Sequence, residues 1–304
     1  MNVRVVEVGP RDGLQNEAAT VPTADKIAFV NRLADAGHSI IEVAAFVNPA
    51  RVPQMGDAAD VFAGITRKPG VRYTALVPNT KGLERALTAT ANEVAIFAAA
   101  SETFSRRNIN QGINESLITY REVCREAAAA GVRVRAYLST AFGCPFEGDV
   151  PPAQVLDVAA QLLDMGAYEV AVSDTIGIAH PAQVTSLLKL LVPRLTAEQL
   201  ALHVHDTRGT ALVNVYAALQ EGIRTFDASA GGLGGCPYAP GATGNLATED
   251  LIYMLDGLGA STGVRLDGII DASRAMERLV GHPLPSRVYR AMNSKAQGSR
   301  PNAQ

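Results

Sequence analysis

The stretch Leu202-His-Val-His-Asp-Thr-Arg-Gly-Thr-Ala-Leu-Val-Asn-Val-Tyr-Ala-Ala-Leu-Gln-Glu-Gly-Ile-Arg-Thr-Phe-Asp-Ala228 reads as strand, helix, strand. Leu202–His205 is short and β-rich, and Thr210–Glu221 carries apolar residues at helical spacing up to Gly222. Thr225–Ala228 is extended again. A strand that returns to the next strand through a helix is a parallel crossover unit. The same unit recurs along the whole chain. Further candidate strands are Val3–Val8, Ile40–Val43, Val71–Val77, Glu93–Phe97, Val132–Leu138 and Glu169–Val172. The helical runs between and after them are Thr23–Ala36, Gly56–Ile65, Lys81–Ala89, Ile113–Ala130, Pro152–Met165, Pro181–Leu191 and Thr248–Leu258. Several helices stop at a glycine just before the next strand, at Gly37, Gly131, Gly166 and Gly222, as left-handed caps do.

Eight such units over residues 3–260 predict a (β/α)8 TIM barrel. A doubly wound sheet is the competing fold, but it calls for G-x-G-x-x-G after the first strand, and Gly9-Pro-Arg-Asp-Gly13 is not that. Two further helices, Leu266–Leu279 and Pro285–Met292, predict a C-terminal helical extension over residues 261–293. The polar stretch 294–304 is expected to fray. The reading is one domain over residues 1–304, and 47% hydrophobic residues suffice for one large core.

Charged residues make up 19%, mixed in sign, for a net charge of -3. No basic face speaks for nucleic acid, and no apolar run is long enough for a membrane span. No secretory leader is visible at the N-terminus, and three cysteines without a C-x-x-C pair fit a reduced, cytoplasmic setting. A homo-oligomer is left open.

Barrel enzymes place their chemistry at the C-terminal ends of the strands, and strand interiors are expected to stay apolar. His203 and His205 lie two apart on a strand, so both face one side. They are metal ligands or a hydrogen-bonded core pair. Arg11-Asp12-Gly13 follows the first strand, which would share a rim sector with strands seven and eight. Asp12 could complete a two-histidine, one-carboxylate site, and Asn245 could add an amide oxygen; otherwise the motif is a surface turn. Such a mixed set suits Mg2+ or Mn2+ and tolerates Zn2+ or Co2+. Between Gly231 and Asn245, six glycines and two prolines surround Cys236. That make-up predicts a mobile loop carrying a proton-transfer thiol, against the plainer alternative of a small buried residue. Cys144 adjoins no general base, and Cys124 falls within a helix. Glu42 and Asp174 end their strands among apolar residues and could orient Arg11 or a histidine. His38, His180 and His282 read as surface residues.

The motifs Val8-Gly-Pro-Arg-Asp-Gly-Leu-Gln-Asn-Glu17, Val52-Pro-Gln-Met55, Asn108-Ile-Asn110, Ser173-Asp-Thr-Ile-Gly177, His203-Val-His-Asp206, Gly232-Leu-Gly-Gly-Cys-Pro-Tyr-Ala239 and Gly244-Asn-Leu-Ala-Thr-Glu-Asp250 carry a closer comparison. In them the chain resembles the 3-hydroxy-3-methylglutaryl-CoA lyase family, from about residue 3 to residue 290. The cysteine block is the most specific, since Arg-Asp-Gly and His-x-His also occur in related aldol- and Claisen-type barrels. The resemblance implies a TIM barrel and a divalent cation held by Asp12, His203, His205 and Asn245. It implies cleavage of 3-hydroxy-3-methylglutaryl-CoA to acetyl-CoA and acetoacetate, a reaction of leucine catabolism and ketone-body formation. Arg11 would stabilise the acetyl-CoA enolate, and Cys236 would carry protons. Glu42, Asp174 and Glu249 match acids near the family's site, and Gln15 and Thr175 fall within its motifs as substrate contacts. Asn79 and Lys81, on the third rim loop, are the expected contacts to CoA, by their position and by the use of a cation for a phosphate.

The chain departs from the family pattern at Val43-Ala44-Ala45-Phe46, where a Thr/Ser pair usually precedes the Phe, and at Ser173, usually glycine. Both departures bear on the acyl group accepted. The alternatives are a lyase for another 3-substituted 3-hydroxyacyl-CoA, a Claisen-type synthase of the same barrel superfamily, and a non-catalytic acyl-CoA-binding protein.

Overall fold

Apolar, β-branched runs such as Val5-Val6 and Ile40-Ile41 are buried on both faces, as parallel strands wrapped by helices require. The computed structural model describes residues 1–235 and 244–298. Its strands are β1 (Arg4–Glu7), β2 (Ile40–Ala45), β3 (Arg72–Leu76), β4 (Glu93–Ala99), β5 (Arg133–Ser139), β6 (Ala167–Asp174), β7 (Leu200–Val204) and β8 (Thr225–Ala228). Each pairs in parallel with the next, and β1 also pairs with β8, closing a barrel. The helices α1 (Thr23–Asp35), α2 (Ala58–Gly64), α3 (Thr80–Thr88), α4 (Glu102–Ile109), α5 (Ile113–Ala129), α6 (Pro152–Asp164), α7 (Pro181–Leu195), α8 (Ala211–Gln220) and α9 (Thr248–Gly257) connect and follow these strands. In α5, Ile113, Leu117, Tyr120, Cys124 and Ala127 are all buried, the three-to-four spacing of one inward stripe. Gly37, Gly131, Gly166 and Gly222 have positive φ, from 71° to 110°, and end their helices as the spacing predicts.

Three expectations need correction. The run to α7 does not stop at Leu191 but passes through Pro193 to Leu195. The extension consists of α10 (Leu266–Val280) and α11 (Arg287–Gly298), so helix continues past the predicted start of fraying at residue 294. The barrel interior is also not purely apolar. Arg135 is 1% exposed; it donates to Glu169 at 2.8 Å and to both oxygens of Asp227 at 2.7 and 3.1 Å. Arg4 reaches Glu169 from below. Charges buried this deeply persist because each has several partners. No helix among the described residues is long and apolar enough to cross a membrane.

Candidate active site

The site grows from the turn after β1. The amides of Arg11, Asp12 and Gly13 all point at the carbonyl of Val8, at 3.2, 2.8 and 3.2 Å, forming a π-helical turn over Gly9–Gly13. Such turns recur at functional sites. Fully buried Glu7 anchors it. One Glu7 oxygen accepts Gly9 N at 2.8 Å and Ala230 N at 2.9 Å, and the other accepts the Thr248 hydroxyl at 2.8 Å. The start of the Arg11-Asp12 turn is thereby tied to the end of β8 and the start of α9. Burial pushes the Glu7 carboxyl up to about 7 despite these bonds.

Arg11 Nε donates to Glu42 at 2.6 Å, and Nη1 donates to Asp12. The Tyr137 hydroxyl donates to the same Glu42 oxygen at 3.1 Å, and the Arg11 guanidinium lies over the Tyr137 ring, 5.3 Å from its centre. Burial penalises the charge on Arg11, but Glu42 and Asp12 outweigh it and raise its pKa. Burial likewise opposes ionisation of Asp12. Arg11, the two imidazoles and the hydrogen bond from Asn245 outweigh that, holding Asp12 at about 2.

His203, on β7, and His205, just beyond it, face each other with Nε2 atoms 3.3 Å apart. His203 Nδ1 lies 3.2 Å from Asp227 Oδ2, and Arg135 fixes that carboxylate. The core-pair and metal readings of His-x-His are distinguished by what else arrives. One carboxylate oxygen of Asp12 and one ring nitrogen from each histidine lie within 4.8 Å of one another, the arrangement that can hold a metal ion. Asn245 is placed beside them by backbone pairing with His205. Its Nδ2 donates to Asp12 at 2.8 Å and to the Leu233 carbonyl at 3.2 Å. Its Oδ1 is buried without a partner among the described residues. A desolvated, unpaired amide oxygen is costly, and a bound cation would satisfy it. Burial lowers the His205 pKa to about 4, so the ring is neutral at physiological pH, as a ligand must be. The donor set therefore fits a divalent ion.

Arg11, Asp12, Tyr137, His203 and His205 line a cavity of about 660 Å³. Gln15, Asn79, Ser173 and Thr175 line it, with an apolar wall that includes Leu76, Phe97, Phe104 and Ile109. Other predicted residues stand elsewhere. Lys81 is exposed on α3 and off the cavity wall. Asn79 Oδ1 also accepts Gly82 N at 3.0 Å, capping α3. Asp174 accepts Ile178 N and Ala179 N at 2.9 and 3.0 Å, fixing the loop that begins with Thr175. Glu249 accepts Gly231 N at 2.8 Å and the Ser273 hydroxyl. Glu42, Asp174 and Glu249 thus act on protein groups and do not line the cavity. Ala44 and Ala45 are buried in β2, off the cavity wall as well.

Cys236 lies outside the described residues. Cys124 is buried in α5, and burial pushes its thiol up to about 11. Cys144 accepts the Ser101 hydroxyl at 2.9 Å. His180 caps α7, as an exposed residue can. His38 is a correction: it is 1% exposed, with Nε2 3.5 Å from Glu7. Sequence reading missed Tyr137 and Arg135, whose signal was the period-two alternation Arg133, Arg135, Tyr137 on one strand. It also missed Arg51, an exposed cation on the cavity wall.

Residues 2–276 match the HMGL-like family. The chain is 51% identical to the hydroxymethylglutaryl-CoA lyase of Bacillus subtilis, over 96% of this chain and 98% of that one. It is also 51% identical to the 3-hydroxy-3-isohexenylglutaryl-CoA/hydroxymethylglutaryl-CoA lyase of Pseudomonas aeruginosa, over 97% and 98%. An HMG-CoA lyase from Acinetobacter baumannii, solved in complex with coenzyme A and 3-methylmalate, superposes with a TM-score of 0.91 at 39% identity, covering 100% of this chain and 97% of the other. With a family match over nine-tenths of its length and relatives at this identity, the chain belongs to the HMGL-like family.

Proposed function

We infer that the protein cleaves 3-hydroxy-3-methylglutaryl-CoA to acetyl-CoA and acetoacetate. The observation that carries the reading is the convergence of Arg11, Asp12, His203 and His205 on the floor of one rim cavity, in a chain about half identical to lyases named for that reaction. In this cleavage the 3-hydroxyl loses its proton as the C2–C3 bond breaks, and the thioester enolate is then protonated at C2. Arg11 is held by Glu42 and Asp12 through only part of its donor set, so further N–H groups remain for the thioester oxygen. That donor meets a charge which develops only in the transition state.

A divalent ion on Asp12, His203, His205 and Asn245, Mg2+ or Mn2+ by the donor set, would lower the pKa of the chelated hydroxyl. Asp227 keeps His203 in the tautomer that leaves Nε2 free for it. Asp12 is proposed to take the hydroxyl proton, because His203 has Nδ1 committed to Asp227 and Nε2 turned to the ion site. Cys236 is proposed to deliver the proton to C2. Arg51, not Lys81, is proposed as the cation for the phosphates of CoA. Cytoplasmic residence is proposed on the unpaired, buried Cys124 and Cys144.

The test is acetoacetate release from 3-hydroxy-3-methylglutaryl-CoA before and after EDTA. Activity lost on chelation and restored by Mg2+ or Mn2+ is expected. Absence of acetoacetate under all conditions would reject the reaction, and full activity after exhaustive chelation would reject the metal.

A further inference from the structure

The segment between α10 and α11 packs against the turn from which the glycine-rich segment starts. Ser286 N donates to the Gly231 carbonyl at 3.1 Å. A Cβ on Gly231 would fall 2.4 Å from Leu284 Cδ1, and one on Gly232 would fall 2.9 Å from Pro285 Cγ. Both glycines have positive φ, 68° and 72°, so neither the conformation nor the space admits another residue. Close by, His282 Nε2 lies 2.7 Å from Glu17 Oε2, and the other oxygen of Glu17 accepts Gly234 N at 3.3 Å. The Glu17 side chain is only 8% exposed. From Gly234 the contacts run straight to the site. The Gly234 carbonyl accepts Gly244 N at 3.0 Å, and the neighbouring Leu233 carbonyl accepts Asn245 Nδ2 at 3.2 Å.

We propose that Glu17 and His282 are positioning residues for the metal site: their pair fixes Gly234, and through Gly234 it fixes the amide of Asn245 beside Asp12. Neither residue lines the cavity, and their role is argued through the backbone they hold. Their role follows from glycine chemistry. Gly231, Gly232, Gly234, Gly235 and Gly244 resist ordering, because glycine loses more conformational freedom than any other residue. Backbone bonds alone hold such a stem weakly. A charge-assisted hydrogen bond from a half-exposed imidazole to a buried carboxylate adds an anchor from outside the barrel. This also gives the C-terminal extension a task that a closed barrel does not otherwise need.

The proposal rests on the metal reading above, and calorimetric titration of the full chain with Mn2+ at one pH tests the two separately. Asp12→Ala is the control for the metal reading. If it binds Mn2+ as the parent does, that reading fails. Where Asp12→Ala abolishes binding, Glu17→Ala and His282→Ala should each weaken Mn2+ about tenfold or more, the range for groups that orient ligands, with little change in melting temperature. His282→Gln keeps an N–H donor and should recover most of the loss. The double variant should bind no worse than Glu17→Ala, because His282 acts through Glu17. Should Glu17→Ala fail to fold, Glu17→Gln replaces it: it keeps an acceptor for Gly234 N, loses the charge, and should show an intermediate loss. Parental Mn2+ affinity in His282→Ala and in the folded Glu17 variant would overturn the proposal.

Discussion

Arg11 and Asp12 are neighbours of opposite sign, and each sets what the other can do. Asp12 stays ionised at about pH 2 and above because Arg11 and the imidazoles face it, and Arg11 stays charged in a buried site because Glu42 and Asp12 face it. Arg11 is proposed to act on an enolate, so Arg11→Met should lower kcat by roughly 10²-fold with a modest change in KM. Steady-state kinetics check this, and an effect on KM alone would contradict the role. Arg51→Ala should raise KM roughly two- to fivefold with kcat unchanged, the scale of an exposed ion pair, while Lys81→Ala should leave both constants near the parent. Cys236→Ser should keep Mn2+ affinity and lose most of kcat, since a hydroxyl is a far poorer acid than a thiol; measuring both on one preparation separates a proton-transfer role from a structural one. Arg11, Asp12, His203 and His205 were legible in sequence because each sits within five residues of a strand end. Arg51 was not, because its loop carries no strand or helix signal that points inward.

Glu249 illustrates how an element uses a buried acid. It lies in the first turn of α9, where it accepts Gly231 N, and Ser273 of α10 donates to its other oxygen. Burial pushes its carboxyl up to about 8. In the unfolded chain the same group ionises near 4.5, the ordinary value for a glutamate. Its contribution to stability is therefore complete below that value and is lost as pH rises through about 8. Glu249→Gln keeps the hydrogen-bonding shape without ionising. Its melting temperature relative to the parent should rise between about pH 5 and pH 8, by about 2–4 °C for each kcal/mol of linkage. A flat difference would show that the carboxyl ionises as it does in water. The helix α4 shows the other side of element-scale reading. Glu102-Thr-Phe-Ser-Arg-Arg-Asn-Ile109 has only two large apolar residues and no helical stripe, so pattern alone did not reveal it. A local cap and a tertiary contact hold it: Ser101 accepts Phe104 N at 3.2 Å, and Phe104 is buried beside Cys144.

At the scale of the molecule, the closed barrel decides which residues meet at the site. Ala44 and Ala45, the departures that put the acyl group in question, are buried off the cavity wall, so the loss of hydroxyls there is expected to leave the wall unchanged. The methyl substrate should therefore keep the higher kcat/KM against an analogue with a longer 3-substituent, although one methylene is worth only about 1–3 kcal/mol in an apolar pocket. A preference for the longer analogue would show that the apolar wall at Leu76, Phe97 and Phe104 sets specificity instead. The sequence by itself determined the alternation of strands and helices, the glycine stops, and the identity of the metal-ligand candidates, because these depend on period and turn chemistry within a few residues. Only the tertiary structure decided that Asp227 backs His203, that Arg135 bridges Glu169, 34 residues on, and Asp227, 92 residues on, and that Glu17 meets His282 across 265 residues. Those pairings depend on barrel closure. Closure joins β1 to β8, turns β5 and β8 inward toward each other, and brings the C-terminal extension back onto the first turn. No local pattern encodes which buried charge will find which partner; the geometry that removes them all from water selects the pairs.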